Sequence, residues 1–265
     1  MCGGTAPHLR RRVRPPPGLP LRLQDLRNAA GRGRLRRHSP APARAPREAE
    51  DRRAHGPKTQ GVDHLRDRAT PETELAEPLR ALRPALLLDR DGVLNRYIAN
   101  GYVTRPEEFE WLPSARHALR LARQAGWTCA VVTNQAGVGR GLQPPESLDE
   151  IHRRMAEEAA EAGGAIAAVY ACTHTPEAGC ACRKPHPGLL LQAAAALHLD
   201  LARCWLVGDA PADIGAAEAA GVRWLLVRTG RGAETEQEHP QWPRDRICAD
   251  LMAAVLRIGA CPLGT

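Results

Sequence analysis

Residues 81–259 show short apolar runs that alternate with stretches in which apolar residues recur at helical spacing. The runs predict buried parallel strands, and the stretches predict amphipathic helices. The predicted strands are residues 85–88, 128–132, 167–171, 204–207 and 224–227. The predicted helices are residues 113–124, 144–162, 187–197, 210–220 and 249–258. Strands that alternate with helices predict an α/β fold, a Rossmann-like parallel sheet of about five strands with helices on both faces.

Residues 1–80 lack this periodicity and are rich in Arg, Pro, Gly and Ala. They carry 18 Lys and Arg against 9 Asp and Glu, a net charge of +9, whereas residues 81–265 carry 19 against 21, a net charge of −2. Such a segment buries too little apolar surface to offset the entropy of ordering it. We therefore expect residues 1–80 to be a disordered basic segment and residues 81–259 to be the folded domain. An over-extended start of translation and a basic arm that binds nucleic acid or a partner are the alternatives for residues 1–80.

The net charge of the whole chain, +7, comes from the N-terminal segment, so it does not indicate that the folded part binds nucleic acid. Aromatic residues make up 3% of the chain, which leaves few rings for stacking on bases. No run approaches the roughly 18 apolar residues that a membrane span needs, and no apolar stretch of signal-peptide length follows the N-terminal arginines. We expect a cytoplasmic, monomeric protein with neither membrane nor nucleic acid as a partner.

Polar residues follow the first two predicted strands, at the edge where parallel α/β sheets bind their ligands. Asp89 and Asp91 follow the first strand; one carboxylate can attack phosphorus while the other shuttles protons. Thr133, Asn134 and Gln135 follow the second strand and precede a glycine-rich turn, a combination that suits phosphate oxygens. A solvated acidic turn and a polar turn with a helix cap are the alternatives for these two motifs.

Two further motifs lie on either side of the fourth predicted strand. Arg183 and Lys184 precede it, and Lys184 is the only lysine in residues 81–265. A compact ammonium fits between a carboxylate and a phosphoryl group where a guanidinium would be too broad, although a surface lysine is the alternative. Asp209 and Asp213 follow the strand and offer the hard oxygen ligands that Mg²⁺ prefers, although Asp213 also suits a helix N-terminus.

A cluster of Cys and His residues precedes the lysine motif. Cys172 and His174 are separated by five residues from Cys180 and Cys182. Four such ligands predict a structural, tetrahedral Zn²⁺ site in a loop that ends directly before Arg183. A redox pair or unliganded thiols are the alternatives.

The order of these motifs resembles that of the haloacid dehalogenase superfamily of phosphatases, over about residues 83–232. The resemblance implies that Asp89 is the nucleophile and Asp91 the general acid and base. It implies that Thr133 and Lys184 hold the phosphoryl oxygens. The implied Mg²⁺ ligands are Asp89, Asp91 through its backbone carbonyl, and Asp209, with Asp213 in support.

A narrower resemblance rests on residues 89–95, 101–103, 109–113 and 183–188 together with the Cys and His loop. These segments resemble the branch that contains D-glycero-D-manno-heptose 1,7-bisphosphate 7-phosphatases and histidinol-phosphate phosphatases, which is cap-poor. The implied substrate contacts are Gly101, Tyr102, Asn134, Gln135 and Arg183. We expect an Mg²⁺-dependent enzyme that removes the 7-phosphate of the heptose bisphosphate. Histidinol phosphate is the alternative substrate. A nucleic-acid 3′-phosphatase is a further alternative, which fits the charge of the folded part less well. A zinc module without activity would leave the acidic residues and the lysine unused.

Overall fold

A computed structural model describes Leu21–Arg22 and residues 82–259. Their centre is a seven-stranded sheet in the order β1-β4-β3-β2-β5-β6-β7, in which β2 to β7 are parallel and β1 is antiparallel. The strands are β1 (Leu21–Arg22), β2 (Ala85–Leu88), β3 (Thr128–Asn134), β4 (Ala168–Cys172), β5 (Trp205–Gly208), β6 (Arg223–Val227) and β7 (Ile247–Cys248). The predicted parallel α/β sheet is confirmed.

Seven α-helices connect or flank these strands within the described residues. They are α1 (Ala115–Gln124), α2 (Ala136–Gly139), α3 (Pro145–Glu161), α4 (Gly188–Leu197), α5 (Pro211–Ala219), α6 (Gly232–Glu238) and α7 (Leu251–Gly259). Proline occupies the first turn of α3 and of α5, where its missing N–H costs no helical hydrogen bond. The five helices that the sequence predicts begin and end within about two residues of the observed bounds, which is the usual uncertainty of helix ends.

One strand and two α-helices within residues 82–259 were not predicted. The parallel part of the described sheet has six strands rather than five, because β7 has only two residues and is too short to give a pattern. Helix α2 has four residues, and α6 has the largely polar sequence GAETEQE. Neither helix offers the apolar periodicity on which the prediction depends.

The sheet separates two apolar layers, as expected when helices cover both faces. Leu86 and Leu88 of β2 point into the layer that contains α1 and α7. Leu87, the residue between them, points into the opposite layer, which contains α4 and α5. Because successive strand residues face opposite sides, a strand covered on both faces reads as one continuous apolar run.

Residues 95–184 contain no inserted cap domain. Apart from strands and helices of the α/β fold, they form only the 3₁₀ helices Pro106–Glu108 and Pro176–Ala178. The prediction of a cap-poor fold is confirmed in this part of the chain. Among the described residues, no helix is both long and apolar enough to cross a membrane.

Leu21–Arg22 lies within the segment that was expected to be disordered. Its backbone pairs with Val169 and Ala168 at the edge of β4, where a parallel sheet offers unpaired backbone groups. The rest of that prediction, residues 1–20 and 23–80, lies outside the described residues.

Candidate active site

A cavity of about 220 Å³ lies at the carboxyl ends of β2, β3 and β5. Most of the residues predicted to be functional line this cavity. Those are Asp89, Asp91, Gly101, Tyr102, Thr133, Asn134, Arg183, Lys184, Asp209 and Asp213. Residues that are scattered over 125 positions of the sequence meet here because parallel strands present their carboxyl ends at one edge.

Lys184 lies at the centre of the acidic side chains, with 4% of its surface exposed. Its Nζ atom is 2.8 Å from Asp89 Oδ1 and 2.5 Å from Asp213 Oδ1, and it donates to the backbone carbonyl of Val132 at 2.8 Å. Burial lowers the pKa of Lys184, but the carboxylates of Asp213 and Asp89 outweigh this effect and raise it. The ammonium therefore stays charged and fixes the position of Asp89.

Asp213 is fully engaged by protein groups. Its Oδ1 atom faces Lys184, while Oδ2 accepts the backbone N–H groups of Asp209 and Ala210 at 3.2 and 3.1 Å. The residue therefore holds both the lysine and the turn that carries Asp209. This placement fits the supporting role that was expected for Asp213.

The carboxylate of Asp209 is held by backbone rather than by a positively charged side chain. Its Oδ2 atom accepts the N–H of Arg231 at 2.8 Å, and a Cβ atom on Gly92 or Gly230 would lie 2.1 Å from the same oxygen. Both glycines have positive φ, +87° and +61°, so the absence of a side chain matters for conformation as well as for space. The two glycines form a tight cradle for one carboxylate oxygen.

Buried charge perturbs the pKa values of the two carboxyl groups that face each other. Burial raises the pKa of Asp89 to about 6, with Lys184 opposing the effect. Burial, followed by the charges of Asp89 and Asp213, raises the pKa of Asp209 to about 8. Both shifts indicate that the positive charge of Lys184 does not balance the negative charge of this cluster.

The donor set fits a divalent cation. Ligand oxygens of Asp89, Asp209 and Asp213 lie within 4.8 Å of one another. When all three carboxylates are ionised, the single ammonium of Lys184, which pairs with Asp89 and Asp213, leaves an excess of two negative charges that one Mg²⁺ would neutralise. Carboxylate oxygens are also the ligands that Mg²⁺ prefers.

Asp91 has different surroundings from Asp89. It accepts hydrogen bonds from Arg90 Nη2 at 2.9 Å, Asn95 Nδ2 at 2.9 Å and Gln135 Nε2 at 2.7 Å. Burial would raise the pKa of Asp91, but the Arg90 charge and these hydrogen bonds outweigh burial and lower it. Asp91 is therefore ionised in the resting site, whereas burial raises the pKa of Asp89, so two carboxyl groups two residues apart have pKa values shifted in opposite directions.

The structure corrects the predicted role of Gln135. Its side chain is fully buried, donates to Asp91 and to Thr133 Oγ1, and is not among the residues that line the cavity. The preceding residue, Asn134, lines the cavity, yet its amide is also occupied by the backbone of Lys184, donating to the carbonyl and accepting the N–H, both at 3.0 Å. The two amides therefore orient catalytic candidates, and Asn134 alone of the two can also reach a substrate.

Several residues of the site were not predicted. Arg231 lines the cavity, and Arg90 and Asn95 hold Asp91. Thr229 Oγ1 donates to the carbonyl of Gly92 at 2.6 Å and joins the turn after β6 to the turn after β2. The position of residues 228–231 directly after a predicted strand was a signal that could have found Arg231 and Thr229.

The predicted zinc ligands also converge. Cys182 Sγ lies 3.3 Å from Cys172 Sγ, 3.4 Å from Cys180 Sγ and 3.3 Å from His174 Nδ1. A Zn–S bond of about 2.3 Å places two sulfur ligands of a tetrahedron about 3.8 Å apart; the sulfur atoms here are a few tenths of an ångström closer, and all four ligand atoms lie within 4.8 Å of one another, near enough to share one Zn²⁺ ion. Arg183 Nη1 lies 3.4 Å from the carbonyl of His174, so the cluster adjoins the cavity wall.

The chain is similar to known proteins in both sequence and fold. A family model described as HAD-hydrolase-like matches residues 181–254. A D-glycero-beta-D-manno-heptose-1,7-bisphosphate 7-phosphatase of Pseudomonas putida is 40% identical over 172 residues, which cover 65% of this chain and 97% of that protein. The protein of the same name in Pseudomonas aeruginosa is 42% identical over 173 residues, 65% of this chain and 96% of that protein. The crystal structure of D,D-heptose 1,7-bisphosphate phosphatase from B. bronchiseptica, complexed with magnesium and phosphate, has a TM-score of 0.63 and 39% identity, and covers 66% of this chain and 97% of that one.

Proposed function

The chain belongs to the HAD-like phosphatase family of these heptose bisphosphate phosphatases, and we propose that it removes the 7-phosphate of D-glycero-D-manno-heptose 1,7-bisphosphate. The observation that carries the proposal is the buried cluster in which Lys184 lies between Asp89 and Asp213, at the wall of a cavity that Thr133 also lines. The cluster combines a carboxylate nucleophile with a fixed positive charge. Such an arrangement favours attack on a phosphoryl group whose negative charge must be neutralised.

In the proposed reaction, a carboxylate oxygen of Asp89 attacks phosphorus while the bond from phosphorus to the sugar oxygen breaks. The carboxylate of Asp91 first takes up the proton that the monoanionic form of the substrate phosphate brings, and then gives it to that oxygen, so the alcohol leaves and Asp89 carries the phosphoryl group. Water then attacks phosphorus, Asp91 takes the proton of the water, and inorganic phosphate leaves with Asp89 regenerated. Thr133 Oγ1 and Lys184 Nζ hold phosphoryl oxygens during both steps.

A bound Mg²⁺ would add Lewis-acid neutralisation of the phosphoryl oxygens. The residues that would hold the ion are Asp89 and Asp209, with the carbonyl of Asp91. Asp213 keeps its contacts with Lys184 and the backbone of the turn, and so positions the site. The pKa of Asp89 would fall on metal binding, because a nearby cation favours the ionised carboxylate that acts as the nucleophile.

The preference for a substrate with two phosphates rests on two cations at the cavity wall. Arg183 and Arg231 line the cavity and are half-buried. Their contacts with protein acceptors are long, 3.4 Å from Arg183 Nη1 to the His174 carbonyl and 3.9 Å from Arg231 Nε to Glu234. Both guanidinium groups can therefore turn toward a second anionic group, whereas histidinol phosphate carries an ammonium and an imidazole in place of one.

We also propose that Cys172, His174, Cys180 and Cys182 bind a structural Zn²⁺. All four ligands would come from the protein, which leaves no open coordination position for catalysis. The loop ends directly before Arg183, so the ion would fix the segment that presents Arg183 and Lys184 to the cavity.

A substrate panel tests the function. The β- and α-anomers of heptose 1,7-bisphosphate, histidinol phosphate and a DNA 3′-phosphate would be compared by kcat/KM with Mg²⁺, and ³¹P NMR would identify the phosphate that remains. We expect the highest kcat/KM for a heptose bisphosphate and a product that retains the 1-phosphate. Higher activity on histidinol phosphate or on DNA, or loss of the 1-phosphate, would reject the proposal.

A further inference from the structure

Behind Asp91 lies a buried polar network that the reaction described above does not use. Arg90 is fully buried, and the neighbouring His152 of α3 is 3% exposed. Removing a guanidinium from water is costly unless its donors find acceptors. The acceptors of Arg90 therefore indicate what its burial accomplishes.

The acceptors of Arg90 divide into two sets. Its Nη2 atom donates to both oxygens of Asp91, at 3.1 and 2.9 Å, and to Gln135 Oε1 at 2.9 Å. Its Nη1 atom lies 3.2 Å from His152 Nε2. Because a guanidinium can only donate, Nε2 of His152 is the acceptor, and the proton of the neutral ring is on Nδ1. Burial, followed by the charge of Arg90, lowers the pKa of His152 to about 3, so the ring remains a neutral acceptor near pH 7.

His152 has a fixed position in the fold. Its neighbours in α3 include Ile151 and Met155, both buried, and the helix is also joined to the loop after β2 by a 2.6 Å hydrogen bond from Trp111 Nε1 to Glu158. A ring on a packed helix holds one end of the guanidinium, and the guanidinium holds the carboxyl group of Asp91 at its other end. Rigid support of this kind sets the distance over which an acid transfers its proton.

We propose that His152 is a positioning residue for proton transfer: through Arg90 it fixes the carboxyl group of Asp91 at the leaving oxygen. The proposal rests on the role proposed for Asp91 as general acid. His152 touches neither substrate nor metal, so it is not a catalytic residue. It acts only through Asp91, in the two steps in which that carboxyl group gives a proton to the departing oxygen or takes one from water.

This role predicts a dependence on the leaving group that a structural role does not. A sugar alkoxide is a poor leaving group and needs the proton from Asp91 as its bond to phosphorus breaks, whereas 2,4-dinitrophenolate leaves without one. The ratio kcat/KM covers the steps up to formation of the phosphorylated Asp89 and excludes its later hydrolysis. Comparing kcat/KM for an alkyl phosphate and for 2,4-dinitrophenyl phosphate therefore isolates the proton transfer.

The test uses His152→Leu, which removes the acceptor, and His152→Gln, which supplies one from an amide oxygen. We expect His152→Leu to lower kcat/KM for the alkyl phosphate about 10- to 100-fold, since small displacements of a catalytic group have effects of this size. For 2,4-dinitrophenyl phosphate the loss should stay below about threefold, because no acid is needed there. His152→Gln should recover most of the activity on the alkyl phosphate. Equal losses on both substrates, or no recovery with glutamine, would overturn the proposal.

Two controls complete the design. Met155→Ala removes a buried apolar side chain from the same helix and should lower stability without changing the ratio between the two substrates. Asp91→Asn separates this proposal from the one on which it rests: if that variant shows no leaving-group dependence, Asp91 is not the acid. If Asp91→Asn shows the dependence and the His152 variants do not, only the positioning role is wrong. If His152→Leu fails to fold, His152→Asn replaces it, because its amide is too short to reach Arg90. Its kcat/KM values for the two substrates are then compared with those of His152→Gln.

Discussion

Replacing Lys184 by arginine should lower activity by at least about 10²-fold although the positive charge is kept. Three acceptors surround a single nitrogen atom: Asp89 Oδ1, Asp213 Oδ1 and the carbonyl of Val132, at 2.8, 2.5 and 2.8 Å from Nζ. A guanidinium spreads its donors over a planar fork and cannot place one nitrogen among all three. The site is also closed, since Lys184 is 4% exposed, so the larger group must displace its neighbours.

The size of the effect follows from the two tasks of the ammonium. Loss of one positioned donor at the developing charge lowers kcat by about 10²- to 10³-fold. Overpacking a buried site costs about 1–3 kcal/mol of stability. Lys184→Met removes the charge instead and leaves buried carboxylates without their partner, a loss of about 3–5 kcal/mol. In a domain of this size each kcal/mol lowers Tm by about 2–4 °C, so the methionine variant should melt well below the arginine variant.

The assay combines phosphate release under saturating Mg²⁺ with thermal unfolding of the same samples. We expect Lys184→Arg to remain folded and to lose at least about 10²-fold in kcat/KM, which separates geometry from charge. If Lys184→Arg keeps activity near that of the unchanged protein, the compact shape of the ammonium is unimportant. The scarcity of lysine in this domain would then carry no functional meaning.

Further substitutions test the supports of the site. Gly230→Ala should weaken Mg²⁺ binding by about tenfold or more, since its Cβ atom would meet Asp209 Oδ2 at 2.1 Å and strain at such sites costs of order 1–3 kcal/mol. Isothermal titration would measure the Mg²⁺ affinity. The control is Gly221→Ala, at a position with a similar φ of +67° and open space around it, which should leave metal affinity unchanged. Cys180→Ser should reduce the zinc content below one ion per chain by mass spectrometry and lower both Tm and kcat/KM; a variant that retains activity with no metal in the loop would contradict the role proposed for zinc. Asn134→Ala removes both hydrogen bonds to the backbone of Lys184, each worth about 0.5–1.5 kcal/mol, and should lower kcat/KM together with Tm. A rise in KM alone would indicate that Asn134 only contacts the substrate.

Much of the fold was predictable because its central strands are buried on both faces. Leu86, Leu87 and Leu88 point alternately into two apolar layers, so their run is continuous and easily recognised. The strand β7 and the helix α6 gave no comparable signal, since one is only two residues long and the other buries only Gly232 and Thr235.

The candidate site was predictable where a polar residue directly follows a predicted strand. Asp89, Thr133 and Asp209 meet for that reason, because the carboxyl ends of parallel strands share one edge. The contacts behind them could not be predicted in this way. Arg90 and His152 are 62 positions apart, and no local pattern connects a residue of the first loop with the buried face of α3.

The same limit explains the error at Gln135. A polar residue after a strand can face the cavity or turn inward to hold its neighbours, and composition does not distinguish the two. Gln135 turned inward because Arg90 offers it a donor and Asp91 an acceptor within the core. Its neighbour Asn134 stayed at the cavity wall, although both residues have amide side chains.

Chemical trapping of the phosphorylated enzyme tests the central claim most directly. The protein would be mixed with the heptose bisphosphate and Mg²⁺, quenched in acid within milliseconds and treated with borohydride, which reduces an acyl phosphate to an alcohol. Peptide mass spectrometry would then locate the reduced residue. We expect homoserine at position 89, in proportion to the enzyme that was turning over, and unchanged aspartate at positions 91, 209 and 213. Reduction at another carboxylate, or turnover with no reduction at Asp89, would contradict the account.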